Sequence, residues 1–418
     1  MPTPTKGDIN TKKNFRPESI AAGLALAMLI IWMFIGNIKY SLLDEVGWLC
    51  IGENFVHDCF GGSADTGDAY FINVGYDKQV VDVQVSPLDS GRAVITDRKL
   101  LLNFLNIAER ADYKYLFLDI RFEKGYDTAC DSVLFAKIAG MRDIVIAHHY
   151  EPVRDQQGNW YNNFEIADSV LLSKTAYNDY YTSALSSGFT RYSYLQDGRT
   201  SVALRMYQDI DGKTIRHLGW YYWNEGAFLP PCENSPYIPI KGGVGPVTTD
   251  SVSTTAQYKN LGPFLMTLPE EVLIEEMKGK IVIVGDFEED VHDTYMSTQP
   301  GSYLTYLAYK YLASGGNKIP LHVIILLAVG FFFIIRGILL KEQIFPWGRH
   351  PLLRFVTAVM WAILPALVCT LVYLTTGYTF NVLIPSLVIS LVIIVMDSKR
   401  PEEEKNKEEK PSEKTAAR

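Results

Sequence analysis

The chain has 418 residues, 48% of them hydrophobic and 21% charged, with a formal net charge of −8. That is enough material for a sizeable core. The acidic balance excludes a nucleic-acid surface, which needs a concentrated basic patch, and disfavours binding to anionic polymers in general.

In chain order, residues 1–19 carry Lys6, Lys12, Lys13 and Arg16 and read as a cytoplasmic N-terminal segment. The uncharged run 20–38 is close to the roughly 20 residues a helix needs to cross a bilayer. Lys39 and Tyr40 follow it rather than a small-residue cleavage site, so it reads as a retained membrane helix. Residues 40–319 then form a water-soluble segment. Cys50, Cys59, Cys130 and Cys232 fall within it, while Cys369 falls in a later apolar run. Four cysteines allow three pairings, of which the short separation favours Cys50 with Cys59; the alternative is four ordinary buried thiols. No CxxC-type metal spacing occurs.

Within that segment "AYFINVGYD" (69–77) predicts a buried strand and "DRKLLLNFLNIAERA" (97–111) a helix capped by Thr96 or Asp97. A strand at 115–122, a helix at 131–140 and a strand at 143–150 follow. Strand alternating with helix predicts a parallel sheet, because parallel neighbours need crossover connections. Residues 190–225 differ, with Asp197-Gly198 and Asp211-Gly212 standing between strand-like runs as hairpin signals. From there to about Gln257 the sequence reads as loops laid over the sheet. "PEEVLIEEMKG" (269–279) restores a helix and "KIVIVGDF" (280–287) a last core strand.

The carboxyl ends of parallel strands line the crevice where such sheets bind ligands. Asp77, Asp119, His148 and Asp286 stand at those ends, and Asp293 lies in the acidic run that follows. These five are the candidate ligand-binding residues. The run Asp286, Glu288, Glu289, Asp290 and Asp293 has the oxygen chemistry of a hard-cation site but not the spacing of an EF-hand loop, and equally suits a solvated turn. His148 and His149 are adjacent, so in a strand they point to opposite faces. "KGGVGPV" (241–247) reads as a turn rather than a phosphate loop, and "WYYW" (220–223) as aromatic packing in a strand.

Three more apolar runs, 321–340, 353–374 and 380–396, are each long enough to span, with Arg336 near one end of the first. Lys341, Arg349, Arg354, Lys399 and Arg400 place both termini in the cytoplasm and residues 40–319 outside. The mixed-charge tail 397–418 reads as a disordered cytoplasmic segment.

The order of "YFINVGYD", "YLFLDIRF" with Asp131 and Leu134, "SSGFTRYSYLQDGRTSVALRMY" and "LPEEVLIEEMKGKIVIVGDFEEDVHDTYMSTQPG" before apolar runs resembles the second class of CHASE sensor domains, extracytoplasmic modules of bacterial signalling receptors. The resemblance covers roughly 40–397. Asp293 and Pro300-Gly301 match the family's closing segment; Gln299 interrupts its Thr-Pro pair, and the following helix lacks its His. Together with the residue pattern it implies an α/β extracytoplasmic domain, with a mainly parallel sheet and an inserted hairpin region, held by four transmembrane helices in a bacterial inner membrane. The implied function is a sensor, not an enzyme, needing no cofactor. It would relay a ligand or envelope signal to a separate effector, with the lipid bilayer and a second copy of the chain as further partners. An anchored extracytoplasmic enzyme or structural envelope protein is the alternative, against which the lack of a recognisable nucleophile and base counts.

Overall fold

Short runs of β-branched and aromatic residues pair side by side into a seven-stranded sheet. Its strands are β1 (Ala69–Asn73), β2 (Tyr115–Leu118), β3 (Ile144–His148), β4 (Thr175–Tyr177), β5 (Val244–Pro246), β6 (Ala256–Asn260) and β7 (Ile281–Gly285). They lie in the order β5-β6-β1-β7-β2-β3-β4, every neighbouring pair parallel. The computed structural model describes residues 17–35 and 67–339 except 87–88, 150, 155–159, 164, 183–188, 197–198, 220, 230–231, 235–243, 247–255, 295–297 and 316–317.

β2, β3 and β7 are buried along their whole length, as strands covered on both faces must be. Alternate residues feed two separate cores. Leu116, Leu118, Ile144, Ile146, Val282 and Val284 pack under helices α1 (Arg98–Ala108), α2 (Asp131–Gly140), α4 (Leu261–Thr267) and α5 (Glu270–Met277). Tyr115, Phe117, Val145, Ala147, Ile281 and Ile283 pack under α3 (Val202–Asp211) and α6 (Gly301–Ala313). Each fully buried aliphatic or Phe side chain contributes about 1.5–3 kcal/mol. The architecture is therefore helix, sheet, helix.

Local chemistry sets the helix limits. Asp97 caps α1 by accepting from the Lys99 and Leu100 amides at 2.9 and 3.0 Å. Ser201 caps α3 through the Leu204 amide. The expected second hairpin turn, Asp211-Gly212, is instead the end of α3, with Gly212 at φ 63°. Val202, Met206 and Ile210 recur every four residues, a helical period that the strand reading overlooked, and a left-handed glycine serves a helix end as well as a hairpin. At the first hairpin signal Leu195 pairs with Thr200 and Gln196 with Arg199, and the turn residues Asp197 and Gly198 lie outside the described residues. The 225–257 region is not loops alone, because β5 and β6 extend the sheet at one edge; β5 takes up Val244–Pro246 of the stretch read as a turn, whose other residues lie outside the described ones, and Pro246 suits an edge strand. Of the aromatic run, Tyr221–Asn224 is a strand, and Trp223 meets Phe228 edge-on at 5.0 Å.

The helices Pro17–Ile35 and Leu321–Leu339 belong to a second unit and pack on each other. Four membrane helices were expected from the sequence. Among the described residues, however, no helix is long and apolar enough to cross a membrane. Over the described residues each of these two runs to 19 residues. Polar groups fall inside both stretches: Pro17, Glu18 and Ser19 open the first, and the second includes His322 and Arg336. The expected multi-pass inner-membrane location and the outside placement of 40–319 are not supported. The runs 353–374 and 380–396 lie outside the described residues.

Candidate functional site

The chain parts at the carboxyl edge of β7. The connections leaving its neighbours β1 and β2 run to α1 and α2 on one face, whereas β7 leads to α6 on the other. This is the geometry in which open parallel sheets form a ligand crevice.

Counting in twos along the strands shows which side chains turn toward α6. Phe117 leads to Asp119, Ala147 to His149, Ala176 to Asn178, and Ile283 to Gly285. Gly285 makes the crevice possible. A Cβ there would lie 2.4 Å from Ser302 Oγ and 3.2 Å from the Asp119 Cβ, so β7 and the first turn of α6 approach more closely than any side chain would permit. Ser302 is fully buried, and its Oγ has no hydrogen-bond partner. Asp119 is only partly shielded as a residue, yet its Oδ2 is cut off from solvent without a partner; Asn178 Nδ2 donates to Oδ1 at a long 3.5 Å. Burial, reinforced by the charge of Asp290, pushes the Asp119 carboxyl up to about 7, although His149, Asn178 and His292 pull the other way.

Around this pair, the Asn178 Oδ1 accepts from Thr305 Oγ1 at 2.8 Å and from the Tyr192 hydroxyl at 3.2 Å. With the Thr305 proton on Asn178, the Tyr180 hydroxyl donates to Thr305 Oγ1 at 2.8 Å, with the Gly301 carbonyl a longer alternative acceptor at 3.2 Å. His149 Nδ1 meets Asp179 Oδ1 at 3.2 Å. Burial opposes a charge on His149, but that hydrogen bond and the Asp119 and Asp179 charges outweigh it and raise its pKa. His292 Nε2 lies 2.9 Å from Asp290 Oδ1, and both side chains border Gly301 at the start of α6.

Of the five residues expected from the sequence, Asp119 stands in this cluster. Asp286 is committed to the frame: it bonds Lys78 at 2.7 Å and accepts from the Glu288 and Glu289 amides. Burial alone would raise its pKa, but those partners lower it. Asp77 accepts from the Gly262 amide at 3.0 Å and fixes the start of α4. His148 lies on the other face of β3 from Asp119, buried, and burial together with the His149 charge lowers it to about 4. Asp293 is exposed and accepts from Thr298 within a small hairpin. Among the described residues no group of three or more potential metal ligands assembles, so the acidic run is taken up by local partners. Cys130 is a free thiol rather than a bridge; Cys50 and Cys59 lie outside the described residues.

Sequence reading missed Ser302, Asn178, Gly285 and His292, and weighed Asp290 only as part of the acidic run and His149 only as the neighbour of His148. Strand alternation would have selected His149 over His148 and added Asn178 and Gly285. Ser302 comes from a helix on the far side of a loop, where no periodicity points to the sheet. The chain matches no family model, no curated protein and no solved structure.

Proposed function

We propose that the α/β unit is a sensor that binds a small polar molecule at the edge of β1, β7 and β2 without turning it over, and that a separate protein partner reads the bound state. The observation that carries the reading is the pair of sealed, unpartnered atoms, Asp119 Oδ2 and Ser302 Oγ, on either side of Gly285. Buried polar atoms are nearly always hydrogen-bonded, and a ligand entering the crevice would supply the missing bonds. The resemblance to the second CHASE class supports the same reading. Binding is favoured over catalysis because Ser302 Oγ touches no base that would activate it as a nucleophile.

The response element is α6. Its first turn borders the crevice, its body is tied down by Tyr194 through the Ala308 carbonyl and by Asp68 through Tyr306 and Lys310, and the chain then runs to Pro320. A ligand shifts such an element only by the difference in its affinity for two states. The test is a thermal-melting screen of the full chain against small polar molecules, with hydrogen exchange on any that bind. A ligand at 100 times its Kd should stabilise by about 2.7 kcal/mol, with slower exchange over 285–305 and no product. Stabilisation that survives in the Asp119→Asn, Ser302→Ala double variant, or release of product, would refute the proposal.

A further inference from the structure

Building on the crevice reading above, we propose that its ligand is a small cation bearing a primary ammonium group, held by the Asp119 carboxylate and the Ser302 hydroxyl. The argument is an account of donors and acceptors. Ionised Asp119 Oδ2 offers only lone pairs, and Ser302 Oγ can accept as well as donate. The one amide oxygen beside them, Asn178 Oδ1, already receives two hydroxyl protons. What Asp119 Oδ2 lacks is a donor, and the lone pairs of Ser302 Oγ can accept from the same group.

Charge points the same way. The groups facing Asp119 are Asp290 and His292 from the loop before α6, His149 from the end of β3 and Asn178 after β4, with Asp179 behind His149, Tyr180 beside Thr305, and the Arg121 charge felt by His149. Three carboxylates therefore stand with two histidines, each already paired to one of them. The positive end of α6, which would otherwise attract an anion, is engaged: the Gly301 amide donates to the Asp290 carbonyl at 2.9 Å, and the Asp290 carboxylate borders the same residue. An incoming anion would meet Asp290 first. An ammonium group carries three N–H donors and a charge that offsets the burial of Asp119, as a paired buried charge requires.

Such a ligand favours ionised Asp119, so it expels the proton that burial retains there. Binding should release up to one proton near neutral pH, and affinity should fall by up to tenfold per pH unit below about 7.

The experiment is calorimetric and thermal titration of the full chain with methylammonium, ethanolammonium and 1,4-diaminobutane chlorides, against acetate, phosphate and glycerol. The amines should bind with proton release, Asp119→Asn should weaken them at least tenfold and flatten the pH profile, and Ser302→Ala should weaken them several-fold. Binding of acetate, phosphate or glycerol but not the amines would overturn the ammonium assignment while leaving a ligand crevice. Failure of every probe, or amine binding unchanged in Asp119→Asn, would also overturn it; failure of the wider screen as well would remove the crevice reading too.

Discussion

Gly285→Ala tests the close approach on which the site depends. The added methyl would sit 2.4 Å from Ser302 Oγ and 3.0 Å from Ser302 Cβ, where contacts of about 3.5–4 Å are comfortable. Neither side can yield cheaply, because β7 is hydrogen-bonded between β1 and β2 and α6 is anchored along its length. Alanine would normally favour a strand by roughly 0.5–1 kcal/mol over glycine. A contact as short as 2.4 Å belongs to the upper part of the cost of overpacking, about 2–3 kcal/mol, which leaves a net loss of about 1–2.5 kcal/mol and lowers Tm by roughly 2–10 °C for a unit of this size. Ser302→Gly removes both of the clashing atoms. In a double-mutant cycle followed by urea denaturation, it should restore about 1 kcal/mol or more to Gly285→Ala. A Gly285→Ala protein with wild-type stability, or a cycle additive within about 0.3 kcal/mol, would show that β7 and α6 do not meet as described.

Asp119 also makes stability depend on pH. Its folded pKa, about 7, lies above the unfolded carboxylate value near 4, so its contribution is complete below about pH 4 and is lost as pH rises to 7. Asp119→Asn should flatten that part of a pH series of urea midpoints, with a change of at most a few kcal/mol. His148 acts in the opposite sense, because its folded pKa near 4 lies below the unfolded value near 6.5. Stability should fall as pH drops through that window, and His148→Gln should blunt the fall. Asp97→Ala should cost about 0.5–2 kcal/mol through loss of the α1 cap, read from denaturant midpoints. Asp293→Ala should change both stability and ligand response by less than about 0.5 kcal/mol, since its carboxylate is exposed and serves only a small hairpin.

The central sheet was legible because its strands announce themselves. "YLFL" and "IVIVG" are continuous apolar runs between helices with an apolar face, and the parallel crossover rule does the rest. Position within the sheet was not legible, since nothing in "IVIVG" tells the last strand to enter the middle rather than extend an edge. β5 and β6 were lost in a region of Pro, Gly and Tyr where the local signal is weak. α3 was mistaken for a strand because Asp-Gly suits two kinds of chain reversal. In the site, Asp119 was found from its place at a strand end, but so was His148, and only alternation separates it from His149. The terminal helices were recognised as apolar, yet hydropathy over a window passes lightly over His322 and Arg336, which fall within one of them.

Placing β7 between β1 and β2 also governs how the polypeptide can mature. Until residues 281–285 leave the ribosome, two raw sheet edges, one on each half of the molecule, have nothing to join them. Pairings between segments so distant in sequence form slowly, and unsatisfied edges of this kind invite association with other chains. A product cut short between Asn260 and Ile281 should therefore behave as two unzipped halves prone to clumping, rather than as a smaller version of the whole.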